Sequence, residues 1–223
     1  MPGAEATAAL MLAASLFDRR VGLASADPRE PHETYPDEMA AVAGAVEKRR
    51  REFAAGRMAT RLALRDLGAP ALAVPMGADR APVWPAGLVG SITHCDTACL
   101  AVMAWEGEIR LLGLDLEHDT PLGNDLVPEI CTEEERAWLA ALEAPGQAAK
   151  VIFSAKEAVY KAQYPRSRTL IGFDALRVFP DLVAGRFDAT FREDVPGFAA
   201  GRRIAGKLAI GHGFILTAVA EPA

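Results

Sequence analysis

Phe153-Ser154-Ala155-Lys156-Glu157-Ala158-Val159-Tyr160-Lys161-Ala162 reads as a helix and holds more chemistry than any other stretch of its length. At 100° per residue, Ile152, Ala155, Ala158, Val159 and Ala162 share one side, and Lys156, Glu157, Tyr160 and Lys161 take the other. One side packs and the other presents. Taken alone, Glu157 and Lys161 form an i,i+4 ion pair of the favourable order, worth a few tenths of a kcal/mol on any solvated helix. Their interest comes from residues elsewhere in the chain.

Upstream, Leu112-Gly113-Leu114-Asp115-Leu116-Glu117 alternates strictly, so a strand here turns its leucines to one face and both carboxylates to the other, roughly 7 Å apart. On an open face this is the polar side of a half-buried strand. In a cleft, the two charges raise each other's pKa unless a cation intervenes. Oxygen donors with no nearby cysteine and few histidines suit a hard ion such as Mg²⁺ better than zinc.

The segment Glu47 to Leu67 reads as a basic helix, closed by Gly68 and Pro70. Arg49, Arg50, Arg57 and Arg61 lie on neighbouring lines of its surface, as a solvated charged face or as an anion cradle, since guanidinium groups pair with phosphate oxygens. Before it, a strand is expected near Val21 to Ala24, a loop over Asp27 to Pro36, and a helix from Pro36 to about Val46. After it, Val74 to Gly90 is rich in Pro and Gly and reads as an extended connection containing Arg80. Ser91 to Cys95 then leads into a strand over Ala98 to Trp105, with Ile109 to Glu117 as its hairpin partner. Thr132 and Glu135 make a capping box for a helix to about Leu142, which Pro145-Gly146 breaks. Strands are expected over Leu176–Phe179, Phe187–Phe191, Ile204–Ile210 and Phe214–Ala220. His94 before Ala101-Val102 and His212 before Ala218-Val219 form a faint internal echo.

At 223 residues the chain is long enough for one large domain or two compact halves. A net charge of −6 argues against non-specific binding to nucleic acid or an anionic membrane. Cys95, Cys99 and Cys131 lack Cys-x-x-Cys spacing and read as reduced cytoplasmic thiols. The apolar run Ala8 to Phe17 is too short to span a bilayer and lacks the basic flank of a signal peptide.

Four blocks then occur in one order: Arg57 within Arg51-Glu52-Phe53-Ala54-Ala55-Gly56-Arg57, Trp84-Pro85 followed by Gly90-Ser91-Ile92-Thr93-His94-Cys95, Gly113 to Glu117, and Phe153 to Lys161. Together they cover about residues 47 to 172, and in this order and spacing the chain resembles the 4′-phosphopantetheinyl transferases of the surfactin/enterobactin-synthase type. The Trp-Pro and Gly-Ser-Ile-Thr-His-Cys blocks are similar to the enterobactin-synthase-like branch.

The resemblance implies a pseudo-twofold α+β fold of two related subdomains, residues 1–110 and 111–223, with the active site in the cleft between them. It implies transfer of phosphopantetheine from coenzyme A to a serine of an apo acyl or peptidyl carrier protein, with Mg²⁺ or Mn²⁺, by a monomer. By family position, Asp115, Glu117 and Glu157 match the metal-binding acids, and Glu157 also matches the base. Lys156 and Lys161 match lysines near the coenzyme A phosphates, and Asp115, Glu157 and Lys161 form the catalytic set. Arg57 and His94 match holders of the 3′-phosphate, with Arg49 a further contact. Met76 stands where some relatives carry a lysine, so that contact is absent or supplied by Arg80.

Two other readings compete. Nucleophilic catalysis by Cys95 or Ser91 with His94 lacks a nucleophile elbow, and neighbours in a strand point oppositely. A non-catalytic coenzyme A binder has no use for three acids.

Overall fold

The computed structural model describes residues 3–17 and 20–223. The α+β chain divides into two compact units, Met1–Leu112 with Pro222–Ala223 and Gly113–Glu221.

In the first unit the alanine-rich opening is helical, α1 (Ala4–Ala14), as befits the best helix former, and β1 (Val21–Ala26) follows. Helix α2 (Pro36–Met39) opens at its proline, and the Glu38 carboxylate caps it by accepting from the Tyr35 N–H at 2.9 Å. It is far shorter than the helix to Val46 that the sequence predicts. Ala40–Val42 tighten into a 3₁₀ turn, and Gly44 discourages continuation. Helix α3 (Glu47–Asp66) ends before Gly68, whose φ of 80° suits the left-handed position past a helix end.

Strands β2 (Leu88–His94) and β3 (Cys99–Trp105) form an antiparallel hairpin with His94 opposite Cys99. His94 therefore belongs to a strand rather than to the approach to one. The other edge of β3 pairs with β1, giving the order β1-β3-β2. Ala55, Ala59, Ala63 and Leu64 of α3 join Leu88, Ala101 and Met103 in one buried core. The small alanines let the helix lie close to the sheet.

The second unit takes in most of β4 (Ile109–His118), then α4 (Val127–Ile130), α5 (Glu133–Leu139) and α6 (Pro145–Ser167). Strands β5 (Leu176–Asp181), β6 (Arg186–Phe191), β7 (Arg203–Gly211) and β8 (Phe214–Pro222) complete a sheet of order β4-β8-β7-β6-β5. The expected hairpin of β3 with β4 does not form, because β1 and β2 occupy both edges of β3 and β4 lies against β8. Pro145 starts α6 instead of only breaking its predecessor, since proline at the first position lacks an N–H that would go unbonded anyway. No helix among the described residues is long and apolar enough to cross a membrane.

One glycine in each unit sets the distance between sheet and helix. A Cβ on Gly22 of β1 would stand 2.0 Å from the Ala63 carbonyl oxygen, and one on Gly113 of β4 would stand 2.0 Å from that of Ala158. Any side chain at either position drives helix and strand apart.

Candidate active site

Gly113 brings α6 against β4 at the point where the strand turns out its acids. Asp115 is buried and Glu117 half-buried. Lys161 Nζ donates to Asp115 Oδ1 at 2.6 Å and to the Leu114 carbonyl at 3.3 Å. Lys150 Nζ donates to Glu117 Oε2 at 3.2 Å. Glu157 lies on α6 between these lysines, seven residues after one and four before the other, a spacing that keeps all three on one helix face.

The acids sense one another. Burial raises the pKa of Glu117 and the charge of Asp115 adds to it, while Lys150 and Lys161 pull it back. Burial likewise raises Glu157, Lys161 opposes, and the charges of Asp115 and Glu117 raise it further. The site thus joins Asp115, Glu117, Glu157 and Lys161 from segments distant in sequence. Among the described residues, these three carboxylates do not form a group whose ligand oxygens all lie within 4.8 Å of one another. Lysines balance two of them instead.

Lys156 departs from expectation. Its side chain is 1% exposed, and Nζ donates to Glu135 Oε2, the Ile130 carbonyl and the Phe173 carbonyl, each at 2.8 Å. An ammonium has three N–H groups, and all three are spent. It has no donor left for a coenzyme phosphate. Lys156 follows Ile152 by four residues, which sets it beside the packing stripe of α6 and not on the presented side.

In the first unit, Arg57 is buried, its guanidinium lies 4.2 Å from the Phe53 ring centroid, and its Nε has no hydrogen-bond partner. Burial lowers its pKa to about 10, Glu38 opposes that shift, and the charges of Arg49 and Arg61 add to it. A buried cation with an unsatisfied donor is costly unless an anion arrives. Arg49 Nη1 lies 3.2 Å from His94 Nε2 and 3.4 Å from Glu52 Oε2, so these two predicted residues do meet. Arg80 is exposed at the tip of the turn after Gly77, with a φ of 67°.

Sequence reading missed Lys150, Glu52 and Glu135. Lys150 had a signal in its heptad spacing to Glu157. Glu52 and Glu135 had none beyond their local helices, because their partners are set by the tertiary fold.

A family model described as the 4′-phosphopantetheinyl transferase N-terminal domain matches residues 37–104, and one described as the 4′-phosphopantetheinyl transferase superfamily matches residues 111–203. The 4′-phosphopantetheinyl transferase Npt of Nocardia iowensis is 36% identical over 201 residues, which cover 86% of this chain and 90% of that protein. The chain belongs to the 4′-phosphopantetheinyl transferase family. The 4′-phosphopantetheinyl transferase Svp of Streptomyces mobaraensis is 40% identical over 196 residues, with 85% of this chain and 79% of that protein covered. Enterobactin synthase component D of Salmonella typhi is 42% identical over 135 residues, 59% of this chain and 55% of that protein.

For a phosphopantetheinyl transferase the donor set is apt. Three carboxylates, with Glu117 and Glu157 raised by burial and by the charge of Asp115, make a set that further positive charge would relieve. Oxygen donors alone fit Mg²⁺ or Mn²⁺.

Proposed function

We propose that this transferase moves 4′-phosphopantetheine from coenzyme A to a serine hydroxyl of an apo acyl or peptidyl carrier protein and releases adenosine 3′,5′-bisphosphate. The observation that carries the reading is Glu157: a half-buried carboxylate with a raised pKa, on the same helix face as the lysine that grips Asp115. A half-buried carboxylate within reach of the attacking hydroxyl can take its proton as general base.

In this reading Glu157 accepts the serine proton as the serine oxygen attacks the phosphorus bearing the pantetheine. The bond from that phosphorus to the bridging oxygen breaks, and the leaving nucleotide carries away the negative charge. Lys161 stands beside Asp115 to offset charge on the pyrophosphate. Asp115, Glu117 and Glu157 hold Mg²⁺, which when bound supplies positive charge at the pyrophosphate. Arg57, with Arg49 and His94, takes the 3′-phosphate, and the unsatisfied Arg57 Nε supports an anionic ligand. Arg80 is a further candidate phosphate contact. A groove of about 170 Å³ beside Glu157, lined by Tyr160, Leu170, Ile171 and Phe173, fits the weakly polar pantetheine arm. In this reading the enzyme acts as a monomer. Cys95, Cys99 and Cys131 are free thiols, in keeping with a reducing cytoplasm.

The test is mass spectrometry of an apo carrier protein after incubation with enzyme, coenzyme A and Mg²⁺. The carrier gains one phosphopantetheine, and Asp115→Ala abolishes the gain without unfolding the enzyme. No gain across a panel of fatty-acid, polyketide and peptide carriers removes the reading, and full Asp115→Ala activity at limiting Mg²⁺ removes the metal role.

A further inference from the structure

We propose that Lys156 and Glu135 form a buried strut that fixes the rotation of α6 and so aims Glu157 and Lys161, which makes Lys156 a positioning residue rather than a coenzyme ligand. The proposal rests on the transferase reading above. Glu135 joins three elements. Its Oε2 accepts from the Thr132 N–H at 2.6 Å and from Lys156 Nζ at 2.8 Å, and its Oε1 accepts from the Val178 N–H at 2.6 Å. The start of α5, the middle of α6 and the first half of β5 are therefore tied to one carboxylate.

The other two Lys156 bonds tie α6 to Ile130 at the end of α4 and to Phe173 in the segment that leads into β5. Lys156 and Glu157 are neighbours on a helix, so a Lys156 held inward sets the direction of Glu157 about 100° round the axis. Lys161, one turn on, is set with it.

The first unit repeats this circuit without the acids. Glu38, like Glu135 the third residue of its short helix, accepts from the N-cap Tyr35 N–H at 2.9 Å, from Arg61 Nη1 at 2.9 Å and from the Val74 N–H at 3.0 Å. Arg61 also donates to the Glu33 carbonyl, five residues before Glu38, as Lys156 does to Ile130, five before Glu135. Arg61 and Lys156 each stand two residues before the alanine whose carbonyl faces the strand glycine. Both pairs are buried, with side-chain exposures of 4% and 1% for Arg61 and Glu38 and 1% and 0% for Lys156 and Glu135. A circuit present in both units, one of which lacks the carboxylates, serves the placement of a helix on its sheet and not a phosphate.

The experiment compares wild type, Lys156→Met and the double variant Lys156→Met with Glu135→Gln. Coenzyme A affinity is measured by calorimetry, melting by scanning fluorimetry, and kcat with the carrier protein. Lys156→Met alone strands a buried carboxylate, and we expect kcat to fall at least thirtyfold, with any weakening of the coenzyme A Kd, which follows from a misaimed Lys161, recovered in the double variant. Neutralising Glu135 in the double variant restores at least tenfold of that kcat and part of the lost melting temperature. A coenzyme A Kd weakened tenfold or more in both variants, with no recovery in the double, shows a phosphate ligand and overturns the strut. Wild-type kcat in Lys156→Met also overturns it. If the single variant does not fold, the double variant decides through its Kd alone. If wild type modifies no carrier, the transferase reading fails, while the Kd and melting comparison still tells strut from ligand.

Discussion

The two units are built on one plan and differ in where they place charge. In each, a strand glycine meets an alanine carbonyl of a long helix: Gly22 with Ala63, Gly113 with Ala158. In each, the next strand residue bonds the helix side chain three positions after that alanine: the Leu23 N–H donates to Asp66 Oδ2 at 3.1 Å, and Lys161 Nζ donates to the Leu114 carbonyl at 3.3 Å. Counting from these anchors, Asp115, Glu117 and Glu157 of the second unit correspond to Ala24, Ala26 and Leu62 of the first. Arg57 of the first corresponds to Ile152 of the second. A few substitutions on a shared frame thus separate an acidic site from a cationic one. The frame repeats because close packing and buried circuits tolerate little change, whereas Ala24, Ala26, Leu62 and Ile152 fill as apolar core the positions that carry charge in the other unit.

The largest expected effect tests the position that is Glu157 in one unit and Leu62 in the other. Glu157→Gln keeps the shape but cannot take a proton, so kcat should fall by about 10²- to 10⁴-fold with coenzyme A affinity retained. Stability should move the other way. Burial and the neighbouring acids raise the Glu157 pKa in the fold, so its favourable contribution is full below the unfolded value of about 4.3 and is lost as pH rises through the folded value. In metal-free buffer at neutral pH, Glu157→Gln should therefore melt above wild type, and the gap should close as pH falls toward 4. A variant that melts lower at neutral pH, or that keeps its turnover, breaks the contrast between the units.

The glycines come next in size. A methyl group at either position must push the helix off its strand, at a cost of about 1–3 kcal/mol by the measure of overpacked cores. Gly22→Ala and Gly113→Ala should lower the melting temperature alike, because each Cβ would stand 2.0 Å from a carbonyl oxygen. Their kinetics should differ. Gly113→Ala displaces Lys161 and Glu157 from Asp115 and should lower kcat, whereas Gly22→Ala displaces α3 and should raise the Km for coenzyme A. Matching kinetic losses in the two variants would sink the division of labour.

The features read correctly from sequence are those whose cause is local. The alternation over Leu112 to Glu117 fixes which residues share a face, and Thr132 with Glu135 signals a helix start within four residues. The features misread have distant causes. That β4 lies against β8 and not β3 depends on strands a hundred residues apart, while consecutive strands are the commoner neighbours. The capping box also gave no hint that Glu135 serves Lys156 and Val178, 21 and 43 residues on. The echo of His94 in His212 marks two hairpins, since His94 ends β2 and His212 follows β7, but only the anchors at Gly22 and Gly113 give the repeat a register.

The smallest expected effect concerns Glu52, an acid within the cationic site. Its carboxylate lies 3.4 Å from Arg49 Nη1 and 4.0 Å from both Lys48 Nζ and His94 Nε2. A phosphate binding there must compete with this resident anion for the same cations. Glu52→Gln keeps the shape and removes the charge, so coenzyme A should bind about two- to fivefold more tightly, the scale of a partly exposed ion pair, and more so at low salt. Coenzyme A lacking the 3′-phosphate should bind the variant and wild type equally, because it presents nothing for Glu52 to oppose. Calorimetry with the two ligands separates the alternatives: tighter binding confined to the 3′-phosphorylated ligand marks Glu52 as a competitor, and weaker binding shows that it aims Arg49 instead.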